Sequence, residues 1–118
     1  MTNTPLGNPS QLFLALSHLG ETIDARAEDA DASKSYTAKL LTKGPKKIGE
    51  KIIEEAGEVV DAMIDEPDGN VASEASDLLY HLFVGLRARG IALDDVAAAL
   101  ISRQGMSGLE EKASRSKG

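Results

Sequence analysis

Apolar residues in this chain recur three and four positions apart within each stretch that Pro and Gly mark off, and no stretch alternates β-branched residues with period two. That spacing builds one dry face on an α-helix and does not build one on a strand. Leu12, Leu16, Leu19, Ile23 and Ala27 outline a first helix behind the start signal Asn8, Pro9 and Ser10. Ser35 is placed to cap a short second helix, Tyr36 to Lys43. Gly44 is expected to end it in a left-handed conformation, and Pro45 to open a third helix that runs to Asp65. Pro67, Asp68, Gly69 and Asn70 read as a turn, after which Asn70 or Ser73 caps a fourth helix lasting to Gly90. Asp94 is expected to cap a fifth, carrying Val96, Ala97, Leu100 and Ile101. Links this short favour antiparallel neighbours, so the expected fold is all-α, an antiparallel bundle of about five helices.

With 118 residues the chain holds one domain and a modest core. The domain is expected over residues 1–104, with 105–118, rich in Gly, Ser and Lys, as a flexible tail. The absence of cysteine removes disulfides, zinc-thiolate sites and thiol nucleophiles together. A net charge of −6 argues against a broad nucleic-acid surface, and 3% aromatic residues argue against serial base stacking. No stretch approaches the roughly 18 apolar residues that a membrane span needs, and the first residues lack a secretory pattern. The expectation is a soluble cytoplasmic protein whose chemistry rests on carboxylates and lysines.

Those charges are polarised along the chain. Lys34, Lys39, Lys43, Lys46, Lys47 and Lys51 come first; between Glu50 and Asp77 there are then ten acidic residues against one lysine. Helix electrostatics alone would choose the reverse order within the third helix, acids first and bases last. On a helical wheel, Ile48, Ile52, Ala56, Val59, Val60 and Met63 form an apolar stripe with Glu50 and Asp61 opposite it. Glu55 falls at the edge of the stripe and Glu58 slightly further round. A carboxylate at a core margin is costly to desolvate and calls for a cation. Lys47, Lys51, Glu54, Glu55 and Glu58 occupy one arc, so a ligand lying along it meets ammonium groups and then carboxylates.

The fourth helix is apolar over most of its circumference, which implies burial on several sides, and Glu74, Asp77 and His81 share the remaining strip. Glu55-x-x-Glu58 and Glu74-x-x-Asp77 each set two carboxylates on one helix face. An antiparallel hairpin of helices three and four would let the pairs converge. Four hard oxygen donors without sulfur suit Mg²⁺ or Mn²⁺, and Mg²⁺ commonly takes substrate phosphates as further ligands, which accounts for the neighbouring lysines. Other sites fit less well. A di-iron bundle wants Glu-x-x-His, but Asp77 stands three after Glu74. The stretch Gly44 to Gly49 has phosphate-loop glycines, but Glu50 stands where the lysine is required. His18 reads as a partly exposed helix residue. His81 reads either as orienting Asp77 or touching a phosphate, or as a satisfied buried histidine.

The stretches Ser35-Tyr36-Thr37-Ala38-Lys39-Leu40-Leu41, Lys47-Ile48-Gly49-Glu50-Lys51, Glu54-Glu55-Ala56-Gly57-Glu58, Asp77-Leu78-Leu79-Tyr80-His81 and Arg89-Gly90 closely resemble the phosphoribosyl-ATP pyrophosphohydrolase family of histidine biosynthesis. The likeness covers about Leu12 to Arg103. Its two carboxylate motifs are shared with the wider MazG-like all-α NTP pyrophosphatases; the Ser-Tyr-Thr-Ala-Lys-Leu-Leu stretch narrows it. The resemblance implies a Mg²⁺-dependent homodimer that hydrolyses the α–β phosphoanhydride of phosphoribosyl-ATP to phosphoribosyl-AMP and pyrophosphate. It implies Glu55, Glu58, Glu74 and Asp77 as metal ligands and Glu54 as the residue acting on water, with Glu55 the alternative for that role. Tyr36, Lys39, Lys47 and Lys51 are implied as phosphate and ribose contacts. The competing readings are a general (d)NTP pyrophosphatase of the same fold and a non-catalytic helical interaction module. The cyclohydrolase step often fused to this activity uses cysteine-bound zinc, which this chain cannot supply.

Overall fold

The computed structural model describes residues 4–29, 31–105 and 108–117. Among them there are helices and no strand: α1 (Ser10–Asp29), α2 (Tyr36–Lys43), α3 (Pro45–Asp65), α4 (Asp68–Arg89), α5 (Leu93–Ser102) and α6 (Gly108–Lys117). The all-α expectation holds, with α6 formed from residues expected to be a tail.

Local chemistry explains most of the boundaries. Asn8 Oδ1 accepts from the Ser10 amide at 2.9 Å at the head of α1. The Ser35 hydroxyl accepts from the Ala38 amide, satisfying one of the free N–H groups that start α2. Gly44 closes α2 through its N–H to the Leu40 carbonyl, but with φ 94° and ψ 174° it is not left-handed helical. Its positive φ lets one residue end α2 and begin α3, whose first position is Pro45. Gly90, at φ 76° and ψ 25°, gives α4 the left-handed stop.

Two starts differ from expectation. α4 begins at Asp68, because Pro67 at φ −62° and ψ 152° turns the chain directly and Asp68 complements the helix dipole. Asn70 does not cap; its side chain donates to Glu66 Oε1 at 3.0 Å. α5 follows Ala92, so Asp94 lies inside the first turn with Asp95 rather than at the cap.

The core lies between α1, α2, α3 and α4, with Ile23, Leu40, Ile48 and Val84 buried. α3 and α4 form its spine as an antiparallel hairpin. At one end Gly85 faces Ile48 and Ile52, where an added Cβ would come within 3.3 Å of Ile52 Cδ1. The missing side chain there lets the two helices approach closely. Toward the connector, Glu55 meets Glu74 and Asp77. The α3 stripe is narrower than the wheel suggested: Ile48, Val59 and Ala62 are buried, whereas Val60 and Met63 are exposed. The expected burial of α4 on several sides is also corrected. Only His81 and Val84 are buried on it, and Leu82 is 41% exposed, because one chain supplies neighbours on limited sides of the helix.

Candidate active site

Glu55 is the only charged residue buried among the described residues, at 8% exposure. α3 carries it at the margin of its dry face, one turn before Val59, so the helix that buries Val59 also draws the carboxylate inward. From α4, Glu74 and Asp77 meet it: one carboxylate oxygen from each of the three lies within 4.8 Å of the others. Glu54, Glu55 and Glu58 satisfy the same criterion along α3. Glu55 belongs to both groups, and Glu58 acts electrostatically on both Glu55 and Glu74. The hairpin therefore brings the two sequence pairs and Glu54 to one place.

The cluster is electrostatically incomplete. Burial pushes the Glu55 carboxyl above its ordinary value, and Glu58 pushes it further. Glu74 is raised first by its hydrogen bond with Glu58 and then by burial. Glu55 Oε2 and Glu74 Oε2 are both buried without a hydrogen-bond partner among the described residues. Two orphaned oxygens pointing into a group of like charges are what a divalent cation satisfies, and the all-oxygen donor set suits a hard one. Glu55, Glu74 and Asp77, with Glu58 beside Glu55, offer the donors such an ion takes.

A stability test follows from the signs. Above the ordinary glutamate value of 4.5, and up to the raised values of Glu55 and Glu74, the folded chain binds more protons than the unfolded one. Through that window these two groups make stability fall as pH rises. In chelator, acidification toward about pH 5 should narrow the gap in melting temperature between wild type and a Glu55→Gln, Glu74→Gln variant, with wild type the less stable at neutral pH. Saturating divalent cation at neutral pH should raise the wild-type midpoint and not the variant's. Superimposable wild-type melts with and without the ion would count against the cation reading.

The basic side chains are distributed unevenly around the cluster. Lys51 reaches Glu54 Oε2 at 3.2 Å and is the less exposed of that pair. Lys47 pairs with Glu50 at 3.4 Å, one turn earlier on α3. Lys39 is exposed on α2 and is not tied to the carboxylates by any ion pair among the described residues. Tyr36 opens α2 and lies 3.2 Å from His81 Nε2 through its hydroxyl. The neighbouring Thr37 and Tyr80 hydroxyls are hydrogen-bonded to each other. His18 is exposed on α1. Sequence reading missed the Tyr36–His81 bond, which joins residues of two different helices. A cavity of about 490 Å³ lies elsewhere, between Ile23, Phe83, Leu86 and Leu93, displaced along α4 from the carboxylates.

A helical bundle whose longest hairpin gathers unpartnered carboxylates beside lysines has the layout of the MazG-like all-α pyrophosphohydrolases. Residues 16–104 match the family model for phosphoribosyl-ATP pyrophosphohydrolase, and the chain belongs to that family. It is 50% identical over 100 residues to phosphoribosyl-ATP pyrophosphatase 1 of Rhodopseudomonas palustris, covering 85% of this chain and 92% of that one. It is 50% identical over 103 residues to phosphoribosyl-ATP pyrophosphatase of Ruegeria pomeroyi, covering 87% and 97%. With phosphoribosyl-ATP pyrophosphatase 1 of Bradyrhizobium diazoefficiens the identity is 54% over 97 residues, covering 82% and 91%.

Proposed function

We propose that this chain hydrolyses the α–β phosphoanhydride of phosphoribosyl-ATP, releasing pyrophosphate and phosphoribosyl-AMP, the second step of histidine biosynthesis. The observation that carries the reading is the convergence of Glu55, Glu58, Glu74 and Asp77, with two buried oxygens left unpartnered, in a chain of this family. These four residues would hold Mg²⁺, or Mn²⁺ in its place, and the bound ion would neutralise polyphosphate charge and acidify water.

The chain's own residues account for the remaining work. Lys51 and Lys47 receive phosphate oxygens, with Lys39 and Tyr36 contacting the substrate from α2. Once a phosphate draws Lys51 away from Glu54, the freed carboxylate is available to accept the proton of the attacking water. The water oxygen forms the new bond to phosphorus as the anhydride oxygen leaves with the other phosphoryl product. The lysines stabilise the charge that moves onto that oxygen. Residues 1–104 are the catalytic domain, in keeping with a family match that ends at residue 104. The setting is the cytoplasm, and no helix among the described residues is long and apolar enough to cross a membrane.

Pyrophosphate release from phosphoribosyl-ATP, assayed with Mg²⁺ and with chelator, tests the reading. Release that chelator abolishes supports it. Equal kcat/KM for ATP and dNTPs would make the chain a general pyrophosphatase instead. Replacing Lys51 by Ala should raise KM about tenfold and lower kcat less, because phosphate is held alike in ground and transition states. Steady-state kinetics across substrate concentration check this.

The working form is a homodimer. Ile53, Met63 and Ile64 on α3 and Leu100 and Ile101 on α5 are exposed, and α5 has no buried residue. Apolar surface spread over two helices of so small a domain is better covered by a second copy than by water. Sedimentation equilibrium should report about twice the chain mass, and a monomer at micromolar concentration would contradict this.

A further inference from the structure

α2 exposes Tyr36, Lys39 and Lys43 on one side and buries Thr37, Ala38 and Leu40 on the other. A helix of eight residues is too short to hold its shape alone in water, so its position is set by what it docks on. Ala38 at 1% and Leu40 at 3% exposure supply an apolar contact. Such contact is non-directional and tolerates a helix that slides or rolls slightly. A hydrogen bond does not, because it weakens steeply with distance and angle.

Thr37 provides the directional contact. It is buried, and its hydroxyl is hydrogen-bonded to the Tyr80 hydroxyl of α4, a residue 43 positions away in the chain. Tyr80 also stacks its ring on Tyr36, with centroids 6.3 Å apart and planes 18° from parallel. On α4, Tyr80 stands one turn beyond Asp77, so the stretch of helix that brings a carboxylate to the cluster also receives α2. On α2, Tyr36 immediately precedes Thr37 and Lys39 follows it by two. Any shift of Thr37 against α4 therefore carries both of these side chains with it. Within the site, α3 and α4 supply the carboxylates, whereas α2 supplies none of them.

Building on the functional reading above, we propose that Thr37 and Tyr80 are positioning residues whose bond pins α2 in register on α4, so that Tyr36 and Lys39 meet the nucleotide while its polyphosphate lies at the carboxylates. Neither residue touches the reacting atoms; both act through the side chains that α2 presents. The pin separates two tasks: α3 and α4 set the ion, and α2, held at Thr37, sets the grip on the rest of the substrate.

The test is a double-mutant cycle on the full chain, with phosphoribosyl-ATP as substrate and Mg²⁺ varied. Thr37→Val and Tyr80→Phe should each raise KM about tenfold with a smaller change in kcat, and leave the Mg²⁺ concentration for half-maximal rate unchanged. The double variant should have a KM no worse than the worse single one. Stability should follow a different order. Each single variant leaves one hydroxyl of a part-buried pair without its partner and melts below wild type, whereas the double variant leaves none and recovers. A KM that stays high in the double variant while the melting temperature returns separates positioning from a merely structural role, in which the two would recover together. Thr37→Ser, which keeps the hydroxyl, should hold KM near wild type. An unchanged KM in either single variant, multiplicative effects in the double, KM recovering along with the melting temperature, a raised Mg²⁺ requirement, or an equally raised KM in Thr37→Ser would each overturn the proposal while wild type remains active. Absence of wild-type turnover would overturn the functional reading, and this one with it.

Discussion

Glu58→Gln should lower turnover of phosphoribosyl-ATP by about three orders of magnitude or more and, in the same molecule, raise the melting temperature of the metal-free protein. The two effects share one cause. Glu58 is the neighbour common to Glu55 and Glu74, and each of those carboxyls is raised partly by it. Replacing its charge with an amide of the same shape relieves repulsion inside the cluster and leaves the helices undisturbed. On the proposed assignment, the same replacement also removes one of the carboxylates that would hold the cation against the polyphosphate. Asp77→Asn should likewise abolish turnover. Steady-state rates at saturating Mg²⁺ together with melts in chelator check both halves. Near-wild-type turnover would show that the ligand assignment is wrong. Lost turnover with lowered stability would mean that the substitution acts through the fold.

Ile48→Ala carries the largest expected cost in stability, about 2–5 kcal/mol. Ile48 and Val84 are the largest side chains that are fully buried, and Ile48 packs where Gly85 lets α3 and α4 approach. Helix-to-helix packing this close has little slack to collapse into the space left by three carbons. For a chain of this size such a loss should move the thermal midpoint down by more than about 8 °C. Because the same hairpin sets the spacing of the carboxylates, residual activity should also need more Mg²⁺ to saturate. A midpoint within a degree or two of wild type would show that the core lies elsewhere.

Much of this was legible in the residues. Ser35 marks the start of α2, and Gly44 and Pro45 mark the α2–α3 junction, by backbone and capping chemistry that depends on near neighbours alone, although Gly44 ends α2 without the left-handed helical conformation expected of it. Glu55 was visible because a helical wheel compares positions on one helix, and burial of Val59 carries Glu55 with it. The start of α4 was misplaced because Pro-Asp-Gly-Asn serves a turn and a helix entry equally well. Which one forms depends on where α4 must lie against α3, and that is not a local property. The width of the α3 stripe and the covering of α4 were overestimated for a related reason. Hydrophobicity reports that Val60, Met63 and Leu82 prefer to leave water, but not whether their own chain supplies the neighbour. Least legible was the Tyr36–His81 bond, since its two ends belong to separate helices whose rotation only the packed core decides.

The link between α3 and α4 is two residues long, Glu66 and Pro67, with the Glu66 amide closing one helix and the Pro67 carbonyl receiving the first bonds of the next. Surface connections normally tolerate inserted residues. Here one extra residue, if taken up by winding, would swing α4 by about 100° about its own axis. Glu74 and Asp77 would then point away from Glu55. On the proposed assignment, the length of this turn sets whether the carboxylates of α3 and α4 can share an ion, and an insertion that longer loops elsewhere could absorb would undo that meeting at this single bend.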